Sequence, residues 1–150
     1  MGYSLYWDYN PDYKKNSFTT GFLNKVAAVI RKANAKGIEL GSWDGEISSQ
    51  DSFCKPDAIK FNGVYPKSCE TFELMPSILG RELNFDFCKT RGYPYTVVCI
   101  AILKLAEKTG IITSWKADNG PEHKAVMGLY NKVYGDDDGE EKDSLAISVD

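Results

Sequence analysis

The chain has a single histidine, His123, and its four cysteines include no Cys-x-x-Cys pair. Zinc ribbons and thioredoxin-type redox sites need closely spaced thiols or histidines, so both are excluded. A Gly-rich phosphate loop is absent, as is the Gly-x-Ser-x-Gly turn of the α/β-hydrolases. No apolar run is long enough to cross a bilayer as a helix. The opening Met1–Tyr6 lacks the basic, apolar, small-residue order of a secretory signal, and Tyr6 stands where a myristoylation motif needs Ser or Thr. The expectation is a soluble cytoplasmic protein with no membrane attachment, in which a Cys54–Cys69 disulfide is disfavoured. Basic residues interleaved with aromatics are confined to Tyr13-Lys14-Lys15, so no nucleic acid polymer is expected as a partner.

What is present suits one domain with a substantial core. A chain of 150 residues buries roughly two-thirds of the surface exposed when unfolded. The net charge is −3, but Asp136, Asp137, Asp138, Glu140, Glu141, Asp143 and Asp150, offset only by Lys142, put −6 in residues 136–150. Residues 1–135 therefore carry +3, the difference between −3 and −6. The reading is a domain over 1–135 followed by an acidic, disordered and solubilising tail over 136–150. A sharper version has that tail screen a basic groove of its own domain.

Periodicity supplies the elements. Gly2–Trp7 alternates as a strand, and Asn10-Pro11-Asp12 breaks it. A helix then starts at a Ser17 cap, with Phe22, Leu23, Val26, Ile30 and Ala33 at helical spacing and Gly37 beyond its end. Short strands follow at Ile38–Leu40, Ala58–Asn62, Glu70–Leu74 and Leu83–Lys89. Pro94 opens a second helix, apolar almost all round from Val97 to Leu105 and so covered on several sides. Ile111–Trp115 is the last strand, and Pro121 opens a third helix with Ala125, Val126, Leu129 and Val133 inward. The fold class predicted is α+β: a mostly antiparallel twisted sheet of about six strands with three helices, the middle helix the most buried.

Two strands carry the chemistry. Along Glu70-Thr71-Phe72-Glu73-Leu74 the glutamate shares a face with Phe72 and Leu74, and along Asn84–Lys89 the lysine shares a face with Phe85 and Phe87. If the aromatic faces look inward and the strands pair with Phe72 opposite Phe87, Glu70 lands opposite Lys89 as a core-facing ion pair. Such a pair is either a clamp on strand register or the floor of a binding rim made by Asn62, Glu70, Thr71, Lys89, Thr90 and Tyr95. Backbone donors at the Pro94 helix start would favour an anion there.

Several motifs in order, Trp43-Asp44-Gly45, Phe61-Asn62-Gly63, Glu70-Thr71-Phe72, Phe87-Cys88-Lys89-Thr90, Pro94-Tyr95 and Asp118-Asn119-Gly120, span roughly residues 40–130. This set resembles a family of small, largely uncharacterised bacterial proteins that share Phe-Asn-Gly, Glu-Thr-Phe, Phe-Cys-Lys-Thr and Ser-Asp-Gly motifs. Thr96 stands where the family pattern has an acid, and Asn119 is inserted in the late turn. The resemblance implies a compact α+β domain and supplies no reaction.

Two function classes follow. The leading one is a non-enzymatic protein that binds a partner protein or a small anionic, nucleotide-derived ligand at that rim, without a cofactor. Sequestering a signalling nucleotide, as small phage or mobile-element proteins can do, is its most concrete form. The competing class is a small hydrolase or transferase with Cys88 as nucleophile and His123 and Asp118 in support. Cysteine within an aromatic strand is ordinarily core filler, which favours the first class. Asp118, Asn119, Glu122 and His123 gather hard-cation ligands, as do Asp44 and Glu46 more sparsely, but Asx-Gly turns before Pro-Glu are ordinary helix starts. No metal is expected.

Overall fold

A strand whose inward positions are all large and apolar takes the centre of a sheet. Strand β1 (Ser4–Tyr9) does so, burying Leu5, Trp7 and Tyr9, with Tyr3 buried just before it. The computed structural model describes residues 2–42, 45, 53–79 and 81–148, with side chains described up to residue 135. Among these residues the chain forms three helices and seven strands, all strand pairs being antiparallel.

The elements after β1 are α1 (Thr20–Ala35), β2 (Leu40–Gly41), β3 (Cys54–Lys55), β4 (Ala58–Gly63), β5 (Phe72–Leu74), β6 (Phe85–Lys89), α2 (Tyr95–Thr109), β7 (Ile112–Ala117) and α3 (Glu122–Ser148). The α+β class is as predicted, but the strands form two sheets rather than one. The first has the order β6-β1-β7; in the second, β4 lies between β2 and β3 and also pairs with β5. So β5 and β6, expected to be partners, lie in different sheets. Each has a better match: β4 sets Phe61 against Phe72 and Ile59 against Leu74, while β1 sets Leu5 against Cys88.

The facing of β6 is also reversed. Cys88 is buried, whereas Phe85 and Phe87 are 43% and 53% exposed. Pairing with β1 puts Cys88 beside Leu5 on the inner side, and parity sends both phenylalanines and Lys89 outward.

Helix α2 is the most buried helix, as its composition implies, with every residue from Tyr95 to Leu103 inside. It packs against α1, α3 and β7. The two sheets meet through a row of rings: Trp7–Phe72 at 5.3 Å, Phe72–Phe61 at 5.3 Å and Phe61–Tyr95 at 6.5 Å between centroids. Gly110, in the left-handed region at φ +90°, ends α2 with its amide bonded to Glu107 and Ile111 N bonded to Ala106 O.

Helix boundaries differ in detail. Thr19, not Ser17, caps α1, its Oγ1 accepting from Phe22 N at 3.1 Å. On α3 the inward stripe is Val126, Tyr130, Val133 and Tyr134, while Ala125 is exposed and Leu129 half-buried. Tyr134 anchors the helix by donating to Val29 O at 3.0 Å. None of the four cysteines forms a disulfide. No helix among the described residues is long and apolar enough to cross a membrane. The Trp43-Asp44 part of the expected turn, Glu46, and the side chains of the acidic segment 136–150 lie outside the described residues.

Candidate functional site

The six rim residues do come together, at the junction where the β4–β5 connection meets the end of β6 and the start of α2. Their polar groups are largely spent on one another. Asn62 is buried; its Nδ2 donates to Cys69 O (2.9 Å) and Thr71 Oγ1 (3.3 Å), and its Oδ1 accepts from Gly63 N (2.7 Å) and Cys69 N (3.0 Å). Thr90 is buried and takes a 2.7 Å hydrogen bond from Thr96 Oγ1. Tyr95 donates its hydroxyl to Glu70 O at 2.5 Å. Asn62, Thr71, Thr90 and Tyr95 thus hold the junction rigid.

Glu70 and Lys89 are neighbours, but not as a core-facing ion pair. Glu70 N donates to Lys89 O (3.0 Å), and Lys89 N donates to Glu70 Oε1 (2.7 Å). Both residues are exposed, and no ion pair joins them among the described residues. The glutamate acts as a short extra strand rung, and among the described residues the Lys89 ammonium, on the outer face, has no ion-pair partner.

That outer face holds what periodicity alone did not single out. On β6-β1-β7 the outward positions are Phe85, Phe87 and Lys89; Ser4, Tyr6 and Asp8; Ser114 and Lys116. Tyr6 and Phe85 stack at 6.3 Å with 22° between their planes, and Phe85 and Phe87 at 6.2 Å with 29°. Lys116 Nζ lies 5.9 Å from the Tyr6 ring centre. Asp118 orients Tyr6, accepting from its hydroxyl at 3.0 Å and from Ser4 N at 2.9 Å. Leu83, 68% exposed, lies just before β6. Two exposed rings, Phe85 and Phe87, and the half-buried ring of Tyr6 thus gather on a face that also carries Lys89 and Lys116. The signal was there in part: alternation in β1 separates Tyr6 from Leu5 and Trp7.

The cysteine-based residues are arranged for packing. Cys88 Sγ lies 3.5 Å from Glu70 O, and burial, with Glu70 adding to it, pushes the thiol up to about 12. A thiol held neutral at physiological pH is a poor nucleophile. His123 Nδ1 shares a 2.9 Å hydrogen bond with Tyr3 OH, and Asp118 is engaged with Tyr6 and Ser4. No hydrogen bond joins Cys88, His123 and Asp118 to one another among the described residues. Burial, then Asp118 and Glu122, raise the Tyr3 phenol to about 12. No cluster of three metal-ligating side chains occurs among the described residues.

A cavity of about 260 Å³ opens beside the start of α2, lined by Gly37, Glu39, Gly63, Tyr65, Lys67 and Tyr95 among others. Gly63 is required there: a Cβ would lie 2.1 Å from Lys67 O and 2.9 Å from Tyr95 Cδ1. The cavity shares Tyr95 with the junction but has neither Lys89 nor the stacked rings. Searched against protein families, curated proteins and solved structures, the chain matches none of them.

Proposed function

We propose that the protein is a non-enzymatic binding protein whose ligand is small, anionic and nucleotide-derived, met on the outer face of β6-β1-β7. The observation that carries this reading is the pair of exposed rings Phe85 and Phe87 beside the half-buried Tyr6 ring, on a face that also carries Lys89 and Lys116. A nucleobase stacks on such rings, contributing about 1–3 kcal/mol per base in related settings, and the ammonium groups meet phosphate. Of the six rim residues, Lys89 contacts the ligand in this reading, while Asn62, Glu70, Thr71, Thr90 and Tyr95 hold the strand end that presents it. The family likeness belongs to the same proposal as a likeness of scaffold, since its Asn62, Glu70 and Lys89 motifs converge on one junction. Sequestration of a signalling nucleotide is the role that fits binding without turnover.

The test is a melting-temperature screen with ATP, cyclic dinucleotides and inorganic phosphate. A nucleotide should raise the melting temperature by mass action where phosphate alone does not. Phe85→Ser/Phe87→Ser should lose that shift, and Lys89→Met should reduce it, while the unliganded melting temperature stays within about 2 °C because both sites are exposed. No shift with any nucleotide, or one that survives loss of both rings, overturns the proposal. Ligand recovered hydrolysed, with turnover lost in Cys88→Ser, would favour the enzyme instead.

A further inference from the structure

Residues 13–38 contain six cations, Lys14, Lys15, Lys25, Arg31, Lys32 and Lys36, and no acid. Helix α1 lies within this stretch and buries Phe22, Val26, Ile30 and Ala33. Lys25, Val29, Lys32 and Lys36 follow one another at spacings of four, three and four, so they form a second stripe along one flank of the buried one. The helix dipole favours cations near the last turn, which accounts for Lys32 and Lys36 but not for Lys25 in the second turn. Lys25 and Lys36 have no ion-pair partner among the described residues. Helix α3 meets α1 at this stripe: buried Tyr134 donates its hydroxyl to Val29 O at 3.0 Å. Two residues later the chain becomes acidic, and 136–150 carries −6.

We infer that the stripe of Lys25, Lys32 and Lys36 is the docking surface of the chain's own acidic segment, residues 136–150. Charge and tethering together select this occupant. The segment's −6 is opposite in sign to the stretch 13–38, which has cations alone. Its first residue, Asp136, follows by two the side chain that is fixed to Val29 in the middle of the stripe. So short a tether holds the segment near the lysines at an effective concentration on the order of millimolar. An outside anion of similar charge at micromolar concentration is outcompeted. Asp137, Asp138 and Glu141 come three, four and seven residues after Tyr134, the helical repeat, and α3 continues to Ser148. These three are the acids that the docked segment directs to the lysines. The segment thus neutralises the most basic stretch of its own domain, a role independent of the ligand proposed above.

Amide exchange and melting of the full chain test this. At low salt the amides of residues 136–148 should exchange more slowly in the wild type than in Lys25→Gln/Lys32→Gln/Lys36→Gln. Salt at about 1 M, which shortens the screening length to about 3 Å, should erase that difference. Reversing the lysines (Lys25→Glu/Lys32→Glu/Lys36→Glu) or the acids (Asp137→Lys/Asp138→Lys/Glu141→Lys) should lower the low-salt melting temperature by about 3–6 °C. Combining the two triples restores opposite charges and should recover at least about half of the loss. Exchange in 136–148 that ignores the lysines, or a combined variant no more stable than either triple, overturns the inference. So does loss of the protection on adding one equivalent of heparin, since the stripe would then prefer an outside polyanion.

Discussion

Asn62 shows how a residue can be recognised in sequence and still be misread. Its place beside Gly63, close to Glu70 and Thr71, was legible as a convergence of motifs. What the residue does depended on distances that no linear pattern carries. Its amide is saturated by four contacts with Gly63, Cys69 and Thr71, and it is 1% exposed. Nothing remains to offer a ligand. Asn62→Ala should therefore act on stability: it strands the Gly63 and Cys69 amides and costs about 2–4 kcal/mol. Guanidinium unfolding at unchanged m-value measures it, and a loss under 1 kcal/mol would mean that water replaces those bonds. Lys89 shows the opposite: read as inward, it is the rim residue left facing solvent.

At the scale of elements, strand β6 exposes the limit of alternation. Alternation divides Phe85, Phe87 and Lys89 from Asp86 and Cys88 without saying which set is inside. Hydrophobicity favoured the phenylalanines; pairing with β1 decided for the cysteine. Asp86 is tolerated on that side because Arg81 meets it at 3.2 Å, even though burial raises its carboxyl pKa. The facing gives a paired expectation. Phe87→Lys should change stability by no more than about 0.5 kcal/mol, while Cys88→Lys buries an unpaired charge and should cost upwards of about 3 kcal/mol. Equal costs in denaturant titrations would reverse the strand. The helices were easier to read because burial along α2 is nearly continuous, so no choice of face arises.

For the whole molecule, the row from Trp7 through Phe72 and Phe61 to Tyr95 makes the two sheets one core, and burial in that core ties stability to pH. Folding raises the Cys88 thiol from 9.0 and the Tyr3 phenol from 10.0, each to about 12. A raised acid binds its proton more tightly when folded than when unfolded. The stability this contributes is whole below about pH 9 and is lost between about pH 9 and 12, as the unfolded chain ionises first. Denaturation midpoints should thus be level near neutral pH and fall in alkali, less steeply in Cys88→Ala. A midpoint that stays level up to about pH 11 would mean these groups are not sequestered.

The sequence by itself determined the α+β class, the order of nearly every element and the depth of the middle helix, because periodicity, capping and turn chemistry are local properties. Only the tertiary structure decided that there are two sheets, which way β6 faces, how Asn62, Glu70 and Lys89 meet, and that Tyr6, Phe85 and Phe87 gather on the outer face. Those outcomes rest on competition between strands distant in the chain for a place beside β1, and that competition is settled by packing.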